Sequence, residues 1–508
     1  MHDMNQKKAG VIITYFTMGI RVLIGFIYTP FMLLKVGDSQ YGIYSLSLSL
    51  ISFITLLDLG FGQTSVRYIA KARVLENKEE EEKLNGFFLQ LYSVIAVLAL
   101  VIGIAIIFIY PVICKTTMTI QEAKLFRIVF SVLLVDTVVS FPMCIFSATI
   151  NAYERFYFQK MLDLVLLIVK YVAMTLLLLI GYKVIAVTIA ATATSILLKI
   201  LNGLYCKKKL DISFRFGGYA KNMVKEISWF SFFIFLNLII DFLYNNTDKL
   251  ILGAVNGTAA VTVYSFGVYF QSHFQELSTA MSSVFMPKIV YLFEHNRDMK
   301  GISDLFLRVG RLQMVILALT LSGFVAYGKE FIHLWLGMKY SDAYYIGILI
   351  MLPAIVPLTQ NIGISILRAM NLHKHRSYMY LAIAVFNVGI SIPLAKRYAG
   401  IGAAVGTCIA CIAGQIIFMN LYYAKKIGID IIGYWRNVVH FLIMTIPIVV
   451  SAVFIKHIFP IKSLWSLLAH IVVYAVVYSV IYWLFVSNIY EKQIIKSLIN
   501  KAIGGNIK

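Results

Sequence analysis

The residues of this chain best placed to do chemistry are ionisable groups set inside long apolar runs. Arg21 falls near the middle of the run over 11–34, Asp58 within 41–66, Asp136 within 126–150, Asp241 within 227–252 and Glu276 within 258–287. Asp163 and Lys170 share the run over 157–181, seven residues apart and so on one face of a helix. A charge at mid-membrane costs about 2.5–3.5 kcal/mol or more, so each such group needs a partner, a wet cavity or a ligand. The chemistry open to them is electrostatic. Arg21 would attract an anionic part of a substrate. The carboxylates of Asp58, Asp241 and Glu276 would attract a cation or take up H⁺ or Na⁺. Asp136 and Lys170 either serve a cavity or ion coupling, or they pair structurally, Lys170 with Asp136 or Asp163. Lys199, Arg127, Arg311 and Lys249 lie nearer run ends, where a long stem lets the charge reach the interface.

The clearest pattern is Asn237, Asp241, Asn245 and Asp248, at i, i+4, i+8 and i+11. That spacing is one stripe of an α-helix, and a stripe of amides and carboxylates cannot face lipid tails. Gln271, Gln275, Ser278 and Ser282 repeat the theme in the next run, and Ser45, Ser49, Ser52 and Gln63 in the second. His273, one turn before Glu276, reads as an interior histidine. Cys408 and Cys411 form a CxxC pair without a second ligand pair, so packing is expected rather than a metal or redox site. No Gly-rich phosphate cradle and no convergent acid/base set occurs, so no catalytic residue is assigned and no cofactor is expected beyond H⁺, Na⁺ or the membrane potential.

The elements that must position these groups follow from composition. The 508 residues are 60% hydrophobic and 14% charged, too few charges for a soluble chain and too much hydrophobicity for a disordered one. Fourteen runs are long enough to cross a bilayer as helices, near 11–34, 41–66, 87–110, 126–150, 157–181, 184–205, 227–252, 258–287, 305–327, 343–367, 378–396, 400–424, 438–457 and 465–487. They are too long for barrel strands and do not alternate. With the N-terminus in the cytoplasm, the cytoplasmic loops carry 29 Lys and Arg and the outer loops 10. This asymmetry predicts an all-α multi-pass protein of the cytoplasmic membrane with both termini inside, and it accounts for the net charge of +21 without nucleic acid.

The two halves echo each other at a displacement of roughly 216–220 residues. Tyr44-Ser45 matches Tyr264-Ser265, Asp58 matches Glu276, NAYERFYFQK (151–160) matches MNLHKHRSYM (370–379), and the sixth and twelfth runs both end in Lys-Lys. An offset of six spans keeps orientation, so the repeats are parallel. The expected organisation is an N-lobe of spans 1–6 (residues 1–210), a C-lobe of spans 7–12 (211–426), and spans 13–14 with a cytoplasmic tail (427–508). The polar faces would turn toward a central cavity. Gly60 and Gly62 are candidate points of bending.

The segment LLDLGFGQTSVRYIAKA (56–72), with GDSQYGIYSLSLSL (37–50) before it and AMNLHKHRSYM (369–379), resembles the polysaccharide or oligosaccharide flippases of the multidrug/oligosaccharidyl-lipid/polysaccharide exporter superfamily. The resemblance covers essentially the whole chain. It implies translocation of lipid-linked oligosaccharides, typically on undecaprenyl pyrophosphate, from the inner to the outer leaflet for cell-surface polysaccharide synthesis, with alternating access and with polymerase and glycosyltransferases as partners. It implies cavity-lining cations, a role carried here by Arg21. The acidic Asp58, Asp241 and Glu276 depart from a purely cationic cavity. They leave open an ion-coupled drug/cation antiporter of the multidrug and toxin extrusion type. A glycan polymerase or ligase is the third alternative, and the short outer loops speak against it.

Overall fold

A computed structural model of the chain describes residues 2–219, 221–283, 289, 292–293, 299–370 and 372–493. The basic loop residues Lys288 and Arg297, the tail beyond Gln493 and the side chains of Lys7, Lys8, Ser282, Arg368 and Lys374 lie outside what it describes. Among the described residues there is no strand. The first helices are α1 (His2–Val36), α2 (Asp38–Thr55), α3 (Phe61–Val74), α4 (Lys78–Ile113), α5 (Ile120–Ala152), α6 (Phe156–Leu179), α7 (Val184–Lys209) and α8 (Lys221–Val255). They are followed by α9 (Thr258–Ser283), α10 (Met299–Trp335), α11 (Asp342–Thr359), α12 (Ile362–Ala369), α13 (His373–Ala410), α14 (Ile431–Ile458) and α15 (Leu464–Ile481). Helix α13 runs on through π-helical turns to Ile427, and α15 to Val486.

Twelve helices of the described residues are long and apolar enough to cross a membrane. One of them, Arg376–Ile427, contains two of the expected runs. It is kinked at Tyr398 and at Ala399, whose φ is 47°, where the sequence separates 378–396 from 400–424. Helices α4 and α10, with 36 and 37 residues, reach about 55 Å at 1.5 Å per residue. They therefore outrun the roughly 30 Å hydrocarbon core and carry their polar ends out of it. Helix α4 shows how sequence becomes a membrane surface. Phe88, Tyr92, Ile95, Ala99 and Gly103 recur every three or four residues and are buried, while Val94, Val97, Leu98, Val101 and Phe108 are exposed. Such an apolar outer face would drive aggregation in water and is at home in lipid. The molecule is a multi-pass membrane protein.

The chain folds into two compact units, Met1–Thr262 with Ala395–Ala399, and Val263–Leu394 with Gly400–Lys508. In the first unit, the second expected span is not one helix. Leu56–Asp58 tightens into a 3₁₀ turn, Leu59 and Gly60 take φ of 50° and 81°, and α3 starts at Phe61. Gly60 is required twice over, by its left-handed backbone and because a Cβ would lie 2.7 Å from the Ser231 carbonyl oxygen of α8. Thr64 and Ser231 then share a hydrogen bond of 2.8 Å. The Asp-Leu-Gly-Phe-Gly motif is thus a helix break seated on α8. Thr119 and Glu122 form a capping box at the start of α5, and Glu122 also accepts from Ser39 at 2.5 Å and Thr258 at 2.7 Å, tying three helix starts together.

The connection after α7 lies along the first turns of α4. Ser213 donates to Glu82 at 2.6 Å, the Arg215 backbone N–H to the Glu82 carbonyl at 3.0 Å, the Arg215 guanidinium to Glu79 at 2.9 Å and the Tyr219 hydroxyl to Gln90 at 2.9 Å. The acidic run Glu79–Glu82, read from sequence as a solvated loop, therefore includes two acceptors for this strap. Gly86 permits the approach, because a Cβ there would collide with the Arg215 carbonyl. Gly86→Val is expected to cost about 1–3 kcal/mol by overpacking and to make 210–219 protease-sensitive, measured by thermal melting and limited proteolysis.

The second unit is built around α10. Phe306, Val309, Met314, Ala318 and Tyr327 pack with Tyr434, Phe441 and Ile448 of α14 and with Tyr474 and Tyr478 of α15. Arg311, expected to extend to the interface, is instead held inside. It donates to Glu491 at 2.8 and 3.2 Å, to Asn437 at 2.9 Å and to the Val486 carbonyl at 3.0 Å. Its guanidinium finds these acceptors within reach, so nothing draws it to water.

Candidate functional site

In the first unit, Arg21 lies on α1 in line with buried Thr17 and Tyr28, yet is itself exposed. It interacts electrostatically with Asp163, Lys170 and Tyr171 of α6. The nearby carboxylates make their direct ion pairs elsewhere and act on this cluster only at longer range, Asp163 on Arg21 and Asp136 on Lys170. Asp136 on α5 accepts from Lys199 of α7 at 2.5 Å, with Ser195 holding the same ammonium at 2.8 Å. Asp163 pairs with Lys160 at 3.6 Å. Lys170 makes no ion pair among the described residues, and its ammonium stands 5.3 Å from the Tyr171 ring. Two like charges are therefore held near each other at the depth of α1 and α6. The pairing of Lys170 with Asp136 or Asp163, one of the two sequence readings, gives way to these other partners. Lys199, expected to extend to the interface, is Asp136's counter-charge. Lys199→Met removes the direct ion-pair partner of Asp136 and should lower stability by about 1–3 kcal/mol. Adding Asp136→Asn should restore the melting temperature, read by fluorescence-detected size exclusion.

Tyrosines surround this region. The Tyr28 and Tyr171 rings meet edge to face at 5.0 Å, and Tyr41 and Tyr44 lie within electrostatic reach of Tyr28. The Tyr28 hydroxyl is buried without a hydrogen-bond partner among the described residues. Asp58 is half-buried at the helix break. It accepts the Tyr92 hydroxyl at 2.9 Å and the Gly62 N–H at 3.2 Å, so its negative charge sits at the N-terminus of α3. On α8, Asp241 and Asn245 are exposed, Asn237 is half-buried and Asp248 is buried. Asn245 donates to the Asp241 carbonyl at 2.8 Å.

In the second unit, Gln271 donates to Gln275 at 3.4 Å, and Glu276 lies 3.1 Å from His273. Gln275 is exposed, while Gln271 and Glu276 are half-exposed. Ser278 leaves the polar face and becomes a packing hub. It donates to the Leu358 carbonyl at 2.6 Å and is met by Gln313 and Asn361 at 3.3 and 3.0 Å.

The sequence reading missed three features: the Lys199 pairing, the tyrosine cluster and the Arg311–Glu491 network. A signal existed for the tyrosines, since Tyr41 and Tyr44 lie one turn apart and Tyr28 two turns beyond Arg21.

Long apolar helices in two units, with charged groups held among them, are the architecture of a multi-pass membrane protein. The fold is shared with the lipid II flippase MurJ in an inward closed conformation, at a TM-score of 0.70 with 14% identity over 94% of this chain and 98% of that one. An inward-facing multidrug resistance MATE family transporter of the MOP superfamily aligns at 0.57, with 13% identity over 82% and 98%. The membrane protein EpsK of Bacillus subtilis (strain 168), described as uncharacterized, is 23% identical over 94% of both chains. The model of the polysaccharide biosynthesis protein family matches residues 8–293, more than half of the chain, and the chain belongs to that family. The solved structures that share its fold are a flippase and a transporter.

Proposed function

We propose that the protein flips a lipid-linked oligosaccharide, on undecaprenyl pyrophosphate or a similar carrier, from the inner to the outer leaflet of the cytoplasmic membrane by alternating access. Both termini then lie in the cytoplasm, and glycosyltransferases and a polymerase act before and after it. The observation that carries the reading is the Arg21–Lys170 cluster. Two neighbouring cations at membrane depth, with the direct ion pairs of both nearby carboxylates made to other lysines, are stabilised by an anion arriving between them, as a pyrophosphate would. The phenols around Tyr28 suit the adjoining sugar, offering ring faces to its C–H groups and hydroxyls to its edge. Exposed Asp241 and Asn245, with Asn237, Asp248, Gln271, Gln275 and Glu276, would line the path for a hydroxyl-rich head. Asp58, Asp241 or Glu276 would couple transport to H⁺ or Na⁺.

The test is reconstitution in liposomes carrying a fluorescent polyprenyl-pyrophosphate oligosaccharide. Protein-dependent loss of the label to an impermeant quencher is the expected result. The antiporter reading rests on the exposed carboxylate of Asp241. A pH gradient that drives ethidium uptake, with no movement of the glycolipid, would establish that reading instead.

A further inference from the structure

The second unit contains a groove of about 680 Å³ between α14, α15 and Tyr327 of α10. Its walls are apolar along most of their length, with Ile448, Ala452 and Ile455 on one side and Val473 and Val477 on the other. Lys462 and Ser466 gather at one end, beside the turn over 459–463, with His470 one turn further in. The lining runs from Pro447 to Ile458 on α14 and from Ser466 to Ile481 on α15. At 1.5 Å per residue that is about 17–22 Å, the scale of one leaflet of a roughly 30 Å hydrocarbon core.

The charged end has its own logic. Lys456, the other lysine at this end of α14, is committed to Glu330 at 2.8 Å and to the Ala326 carbonyl at 2.9 Å. Lys462 makes no ion pair among the described residues and is exposed. The His470 Nδ1–H donates to the Ser466 carbonyl at 2.8 Å, which fixes the ring beside the groove and leaves Nε2 as an acceptor, so donation to an anion falls to the Lys462 ammonium and the Ser466 hydroxyl. An apolar slot one leaflet long, headed by a cation and a hydroxyl, has the profile of a lipid with an anionic phosphate.

We propose that the groove binds one anionic phospholipid from the leaflet on the side of the 459–463 turn. Its phosphate is held by Lys462 and the Ser466 hydroxyl, and one acyl chain lies between α14 and α15. By the distribution of basic residues, that leaflet is the outer one. An extended polyprenyl chain of eleven isoprene units is more than twice as long as the slot, and its head is the part a flippase must release. A phospholipid matches both the length and the fixed cationic end.

The test is native mass spectrometry of the delipidated full-length protein with phosphatidylglycerol, phosphatidylcholine and undecaprenyl phosphate added singly and in competition. Phosphatidylglycerol should bind about tenfold more tightly than phosphatidylcholine. Lys462→Gln should weaken phosphatidylglycerol about fivefold and leave phosphatidylcholine unchanged. Val473→Trp, which fills the slot, should abolish retention of both. Lys462 is exposed, so the melting temperature of the lipid-free Lys462→Gln protein should equal that of the wild type and exclude misfolding. Equal phosphatidylglycerol binding by wild type and Lys462→Gln would overturn the proposal. So would displacement of phosphatidylglycerol by equimolar undecaprenyl phosphate, which would make the groove a polyprenyl site.

Discussion

Arg21→Ala should reduce glycolipid translocation by at least about tenfold while leaving the amount of folded protein in the membrane unchanged. Losing a charge-assisted contact to a phosphate removed from water costs about 2–5 kcal/mol, and about 1.4 kcal/mol is already a factor of ten. Packing contributes little to the effect, because the Arg21 side chain is exposed. Arg21→Lys should keep part of the activity, retaining the charge and losing the bidentate fork. Lys170→Ala should be weaker alone. Combined with Arg21→Ala it should add less than its single effect, because both cations act on one anion. Flux in the liposome assay and inner-leaflet accumulation of lipid-linked oligosaccharide in cells both read the outcome. Full activity of Arg21→Ala would remove the residue from the mechanism. Improved ethidium transport by the same variant would favour the antiporter.

Arg311→Ala is expected to be the most destabilising single substitution discussed, at about 3–5 kcal/mol, because it strands a buried carboxylate. Glu491 is 1% exposed, and besides Arg311 it accepts the Tyr482 hydroxyl at 2.8 Å and the Asn488 N–H at 3.0 Å. Arg311→Met with Glu491→Gln should recover most of the loss, since no charge is then left uncompensated. Glu491 lies beyond the last apolar helix, and its acidity follows from the same contacts. Burial pushes its pKa up, but donation from Arg311, the Asn488 N–H and Tyr482 outweighs it and holds the group below its ordinary 4.5. A depressed carboxylate stabilises the fold fully above its unfolded pKa and loses that contribution as the pH falls through the folded one. The wild-type melting temperature should therefore drop on acidification below about 4.5, and Glu491→Gln should flatten that part of the profile. Thermal melts in detergent across pH measure both effects.

Much of the fold was legible in the residues. Apolar runs of membrane length need only local information, because each helix satisfies its own backbone in lipid. The helix-break function of Asp58-Leu59-Gly60 was less so. The glycines were visible as points of bending, but the left-handed turn, and the use of the carboxylate to start α3, depend on Tyr92 and on the close approach of α8. The polar stripes were visible as spacing on α8 and α9. That Ser278 turns into packing while Gln275 stays exposed depends on how α10 and α11 meet that face.

The sequence by itself determined which groups are too polar for lipid and at what depth along each helix they fall, since hydropathy and the 3.6-residue period are properties of one segment. Only the tertiary structure decided what each charge is for. Asp136 finds Lys199 across 63 residues of chain, and Arg311 finds Glu491 across 180. Arg21 and Lys170 are left beside each other, with the direct ion pairs of the nearby carboxylates made to other lysines. Which partner a buried charge meets depends on the rotation and crossing of whole helices, and the period of one helix carries no information about its neighbour's phase.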